Sequence, residues 1–298
     1  MINTLRLKQK LTPYILLIPF LLIMCLIYVG GVVQAIVQSL GYLPAFGMDE
    51  ITLDYYRHVL TDYRFLSSIR YTFYIALISS LVSVILGVLV AFLVYKSRRG
   101  NKLSFALYKV PIVIPHIVVI IVVFHIFFQT GIISRFAYNL GLIESAHDFP
   151  LLIYDRQGIG IMLVYLYKQV PFVALMVFTI LRGVDGKYLS IAENLGAGPF
   201  QKLTRITLPL LFPTILSAFL ITFAFGFGAF EVPYLLGSPA RVTLPILAFV
   251  DYRSPILADR PAAMAINVII SAISLLIIWL YVRLLNALTK LGIEGGGF

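Results

Sequence analysis

The most costly chemistry in this sequence is two ionisable residues set inside apolar stretches: Lys168 in YLYKQVPF and Glu231 in GFGAFEVPYLLG. A lysine near the middle of a membrane-length helix costs at least about 2.5–3.5 kcal/mol on insertion scales. Such a residue faces a cavity, finds a partner, or reaches outward with its ammonium group. One reading makes Lys168 part of a translocation path, in contact with an anionic solute. The other makes it a lysine that snorkels or pairs with a fixed carboxylate. Glu231 is its natural partner or counterpart, and with Phe230 and Pro233 it marks a candidate path or gate. His116 and His125 stand nine positions apart, on nearly opposite faces of one helix. They are read as separate interior hydrogen-bonding histidines, with no shared metal site.

Other chemistries lack their residues. Gly186-Lys187 has neither the glycine spacing nor the following Ser or Thr of a phosphate-cradling loop, so ATP hydrolysis is not expected of this chain. No His-Glu-x-x-His and no Gly-x-Ser-x-Gly occurs, and no catalytic residue is assigned. The single cysteine, Cys25, excludes an intramolecular disulfide and cysteine-based zinc frameworks.

The elements that must position these residues follow from composition. Of 298 residues, 60% are hydrophobic and 12% charged, against about 25% charged in soluble domains. Mean hydropathy is +0.98. The expectation is an all-α, polytopic transmembrane helix bundle, one domain over 1–298. Its six spans fall near 14–36, 71–95, 106–128, 158–181, 210–235 and 262–284. The first apolar run is too long for a signal peptide and no small-residue cleavage site closes it. Pro111 and Pro115 near the inner end of the third span require neighbours for the freed carbonyls, which predicts a helix buried in the bundle. Lys168-Gln169 and Pro171 interrupt the fourth. Gly226 and Gly228 permit close helix approach and Pro233 a break near the outer surface, read equally as packing with a helix stop or as a gate.

The net charge of +10 reflects topology rather than nucleic-acid binding. Arg6, Lys8, Lys10, Lys96, Arg98, Arg99, Lys102, Lys109, Arg182, Lys187, Lys202, Arg205, Arg283 and Lys290 gather in one set of loops, with only Asp185, Glu193 and Glu294 against them. The segments 41–70, 131–157 and 236–261 mix both signs. The positive-inside rule then places both termini in the cytoplasm.

Between the fourth and fifth spans, 189–213 reads LSIAENLGAGPFQKLTRITLPLLFP. Gly196 and Gly198 allow a sharp turn, Pro199 suits the first turn of a helix, and Phe200, Leu203 and Ile206 recur at helical spacing around Lys202 and Arg205. A rigid knuckle with an apolar and a basic face suits docking to a soluble partner. A loop lying on the headgroups fits the pattern equally.

This stretch resembles the cytoplasmic signature loop of binding-protein-dependent ABC importer permeases, Glu-Ala-Ala-x-x-x-Gly followed by Ile-x-Leu-Pro. Ala192, Gly196, Ala197, Phe200, Ile206, Leu208 and Pro209 fall on the pattern. Ser190 stands where the family usually has Glu, and Ile191 where it has the first Ala, so no salt bridge from the first position is implied. Gly228, Phe230, Pro233, Leu235, Leu236 and Gly237 resemble a second pattern, Gly-x-Phe-x-x-Pro-x-Leu-Leu-Gly, of the branch handling polyamines, phosphonates, ferric iron or sulfate. Thr243-Leu244-Pro245 and Asp259-Arg260-Pro261 extend the likeness.

The resemblance implies a type I ABC importer permease in a bacterial cytoplasmic membrane. Its partners would be a second permease subunit, identical or paralogous, two ATPase subunits carrying ATP and Mg, an external solute-binding protein and membrane lipid. A loop over about 183–209 would couple to the ATPases through Ser190, Ala192, Glu193, Gly196, Ala197, Phe200, Ile206, Leu208 and Pro209. A secondary transporter would instead need coupling carboxylates within the spans, and a membrane enzyme a catalytic constellation.

Overall fold

The computed structural model describes residues 2–96, 110–184 and 188–290. It is all-α: the described residues form helices and turns, with a single isolated bridge between Leu43 and Met48. Among the described residues six helical stretches are long and apolar enough to cross a membrane: Thr12–Ser39, Tyr63–Tyr95, His116–Asn139, Ile159–Gly183, Pro199–Gly228 and Asp259–Asn286. The expected class, a polytopic helical membrane fold with six spans, is the one found. The chain divides into two compact units, Met1–Asp62 with Ala248–Ile269, and Tyr63–Leu247 with Ile270–Phe298.

The first unit begins with α1 (Ile2–Ser39), followed by a one-turn 3-10 helix (Pro44–Phe46) and α2 (Asp54–Thr61). Gly47, at φ +71, closes the 3-10 turn by donating its N–H to the Pro44 carbonyl. The hydroxyls of Ser39 and Tyr56 meet at 2.6 Å and tie α1 to α2. The Arg260 guanidinium lies over the rings of Phe46 and Tyr252, 5.2 and 5.5 Å from their centres, an attraction between cation and ring quadrupole.

The second unit holds α3 (Tyr63–Lys96), α4 (Val110–Val113), α5 (His116–Phe127), α6 (Ile132–Asn139), α7 (Ile159–Val184), α8 (Tyr188–Asn194), α9 (Pro199–Lys202), a π-turn (Leu203–Thr207), α10 (Leu208–Gly228) and α11 (Glu231–Leu236). Two last helices, α12 (Leu244–Tyr252) and α13 (Asp259–Lys290), each belong partly to either unit. Helices α3, α7 and α10 make the centre of the second unit. Val84, Ala91, Val173, Val177, Leu211 and Ala218 form one buried cluster. Tyr71, Ile75, Val119, Tyr165, Val232 and others form a second, where α5 and α11 join. Apolar area alone does not drive helices together in lipid, so close approach and polar contacts matter. A Cβ on Gly87 would lie 2.6 Å from the Val173 Cβ, and one on Gly226 3.4 Å from the Ala76 Cα. Ser83 donates to Gln169 Oε1 at 3.0 Å, and Tyr281 to Ser217 Oγ at 2.9 Å.

Several boundaries differ from the sequence expectation. The third span was expected over 106–128; residues 106–109 lie outside the described ones, and the helix restarts at His116, after a break at Pro115. Proline lacks the N–H and crowds the carbonyl four residues back. The fifth span was expected over 210–235 but ends at Gly228, and Glu231 opens a separate short helix. Gly228 has nothing within 4 Å of a built Cβ, so of the two glycines Gly226 alone is a close-approach site. The outer loop 41–70 was drawn too long: α3 begins at Tyr63 because Phe65, Ser68, Tyr71 and Thr72 recur at helical spacing on one buried face. The basic residues Arg98, Arg99, Lys102, Lys109 and Lys187, with Asp185 and Glu294, lie outside the described residues.

Candidate functional site

Lys168 lies on α7, half-buried, and its ammonium donates to three backbone carbonyls: Pro111 O at 2.9 Å, Ile112 O at 3.0 Å and Ile114 O at 2.6 Å. These are carbonyls that the break at Pro115 leaves without the usual helical donor. An ammonium group has three N–H donors, and all three are used. The pairing with Glu231 weighed from the sequence is not formed, nor does the lysine snorkel outward. Its positive charge sits at the C-terminal end of α4, where carbonyl dipoles favour a cation.

Two cavities flank this clamp within the second unit. The smaller, about 240 Å³, is lined by Lys168, Gln169, His116, Phe172, Thr222 and Phe225, among others. Its polar groups are mostly engaged: Gln169 accepts from Ser83 and donates to Thr222 O at 3.4 Å, and the Thr222 hydroxyl donates to Ala218 O. The larger, about 570 Å³, is lined by Pro115, His116, Ile117, Phe230, Glu231, Tyr234 and Leu235. His116 borders both cavities and stacks on Phe225, ring centres 5.3 Å apart. His125 is exposed and turned elsewhere, its Nδ1 bonded to Ile121 O, so the two histidines share nothing. Among the described residues no group of three His, Cys, Asp or Glu is placed to hold a metal. Pro233 is buried in α11, and Phe230 stacks on Tyr234 with ring centres 5.2 Å apart.

The stretch 189–209 is built as a knuckle. Helix α8 ends in a Schellman turn: Gly196 N donates to Glu193 O and Ala197 N to Ala192 O, both at 2.9 Å. Gly196 takes φ +80, the left-handed conformation that a β-carbon disfavours. Pro199 then opens α9, where the Gln201 side chain accepts the Gly198 N–H at 3.1 Å. Glu193 and Lys202 form an ion pair at 3.5 Å that bridges α8 and α9; with the Glu193 carboxylate exposed to solvent, such a pair contributes about 0–1 kcal/mol.

After α9 the helix widens into the π-turn, where Leu208 N reaches back to Leu203 O and the Thr207 hydroxyl to Lys202 O. The wide turn draws the backbone away from the ring of Pro209, which has no N–H to donate. The helix then runs without a stop into α10, so α9, the π-turn and α10 form one rod. Of the remaining loop residues, Ala192 is buried, Ala197 and Ile206 half-buried, and Ser190, Leu208 and Pro209 exposed. Phe200 is 76% exposed and Leu195, which the motif spacing passed over, 82%. The signal for Leu195 lay in its place, a large apolar residue directly before the turn glycine.

A family model described as the binding-protein-dependent transport system inner membrane component matches residues 83–290. The chain is 26% identical over 211 residues to a probable sulfate transport system permease protein of Prototheca wickerhamii, covering 70% of this chain and 79% of that one. It is 26% identical over 204 residues to a putrescine transport system permease protein of Escherichia coli, covering 67% and 66%. In backbone it is similar to a chain of a bacterial ABC transporter involved in the import of the acidic polysaccharide alginate, with a TM-score of 0.71 at 20% identity over 95% of this chain and 99% of that one.

Proposed function

This chain belongs to the binding-protein-dependent transport system inner membrane components, the permeases of ABC importers, and we propose that it forms the path for a small polar solute delivered by an external binding protein. It works with a second permease chain, identical or paralogous, and with two ATPase subunits that carry the ATP and Mg. Both termini face the cytoplasm of a bacterial cell, and 189–209 meets the ATPases there.

The observation that carries the coupling role is the exposed pair Leu195 and Phe200 on a hydrogen-bonded knuckle. Apolar side chains displayed on a stiff polar loop suit a partner's groove, where buried aromatics supply much of an interface's affinity. The rod from Pro199 through α10 gives the knuckle a mechanical outlet, because Leu211 and Ala218 are packed in the core with α3 and α7. ATPase closure displaces the knuckle, and the displacement reaches the residues beside the two cavities. ATP acts only through its unequal affinity for the two access states.

The test is purification of this chain through an affinity tag from the cells that make it, together with whatever ATPase it holds. Recovery of the ATPase in equal amount, with hydrolysis stimulated by the loaded binding protein, is expected. A chain that transports without any ATPase would overturn the reading.

A further inference from the structure

The two cavities differ in what they offer a charged solute, and this bears on the substrate class of the path just proposed, on which it rests. In the smaller cavity the one cation, Lys168, has every N–H donor engaged by backbone carbonyls, and the Gln169 amide is held by Ser83 and Thr222. An anion arriving there finds its two strongest donors already bonded. The larger cavity holds the opposite charge in an unengaged state. Glu231 is exposed and forms no hydrogen bond or ion pair among the described residues. It stands in the first turn of α11, just beyond the end of the fifth span at Gly228. This carboxylate lines the cavity without a hydrogen-bonded or ion-paired side chain against it among the described residues. Beside it stand the stacked rings of Phe230 and Tyr234, whose faces attract cations and pack against methylenes.

We propose that the larger cavity receives a cationic solute bearing primary ammonium groups, with the Glu231 carboxylate as counter-ion and the Phe230 and Tyr234 rings as the wall beside it. Lys168 serves this arrangement indirectly. By fixing the break at Pro115 it holds Pro115 and His116, which border the same cavity, and its own charge stays against carbonyl oxygens.

The test uses the complete transporter, purified through a tag on this chain and placed in lipid nanodiscs, with 1,4-diaminobutane and sodium sulfate as separate calorimetric probes. Saturable diamine binding is expected, weakened at least about tenfold by Glu231→Gln, which removes a charge-assisted contact. Glu231→Asp should keep part of that binding at an unchanged melting temperature, and Glu144→Gln, in a loop away from the cavity, should keep all of it. Absence of saturable diamine binding, sulfate binding in its place, or unaltered diamine binding in Glu231→Gln would overturn the proposal. The ATPase content of the same preparation separates the two readings. An ATPase-bearing complex that takes sulfate and not the diamine sinks the cation assignment alone, whereas absence of the ATPase sinks the importer reading whatever binds.

Discussion

The Lys168 ammonium replaces the donors that Pro115 denies to Pro111, Ile112 and Ile114. Leaving a buried carbonyl unsatisfied costs about 1–3 kcal/mol, so Lys168→Met should destabilise the second unit by about 2–4 kcal/mol. Thermal unfolding of the purified protein in detergent would read this as a lower melting temperature. An unchanged melt would show that other donors replace the ammonium. Outside the membrane spans, Asp148 in the Ala146–Asp148 turn accepts from Ser145 N at 2.8 Å, Ser145 Oγ at 3.1 Å and Glu144 N at 3.1 Å. The Ser145 N–H and hydroxyl, and then the Glu144 N–H, hold its carboxyl below the ordinary value. A depressed carboxylate stabilises the fold above its unfolded pKa, about 3.9, and that contribution is lost as pH falls through the lower folded value. An NMR titration of the Asp148 carboxyl carbon should have its midpoint below about 3.9; a midpoint at or above it contradicts the turn geometry. The Lys168 clamp itself was not readable beforehand. Its acceptors lie more than 50 positions away in the chain, and they need a donor only because the third span breaks where it does.

At the scale of elements, two glycines have different reasons to be glycine. Gly196 has open space around it but a positive φ, which costs an L-residue about 1–2 kcal/mol. Gly196→Val should therefore fray the end of α8, raising hydrogen exchange at the amides of 196 and 197, and should lower the uptake obtained per ATP. Gly198→Ala, at ordinary φ and also in open space, should change neither. Equal exchange in both variants would show that the Schellman turn does not hold the knuckle. Gly87 has the opposite problem. Its φ is unremarkable, but a Cβ meets Val173 at 2.6 Å and the Val170 carbonyl at 3.0 Å, so Gly87→Ala should force α3 and α7 apart at about 1–3 kcal/mol, read as a lower melting temperature. The Gly196 turn was legible from Gly, Gly and Pro in a polar interval. The Gly87 contact was not, because which face of α3 meets α7 depends on helical phase across partners far apart in sequence. The same reason separates Gly226, packed on Ala76, from Gly228, two residues on and touching nothing.

For the whole molecule, hydropathy was enough to count six spans, since each apolar run exceeds the length of a bilayer core. It could not tell one span from two helices meeting at Pro115, nor detach α11 from α10 at Ala229, because both pieces are apolar. Membrane orientation is checked in a Cys25→Ser background. Asp54→Cys should react with a membrane-impermeant thiol reagent from outside intact cells, and Arg99→Cys should not; the reverse pattern would place 189–209 on the wrong side for an ATPase. The central claim is that the knuckle is where the ATPase is held, and the amount of ATPase recovered per tagged chain measures it most directly. With wild-type chain, recovery should be equimolar. With Leu195→Ala and Phe200→Ala together it should fall by at least about tenfold, the loss of about 2 kcal/mol or more expected of an apolar anchor, while the helix content of the chain stays unchanged. Equimolar recovery with the doubly substituted chain would contradict the account.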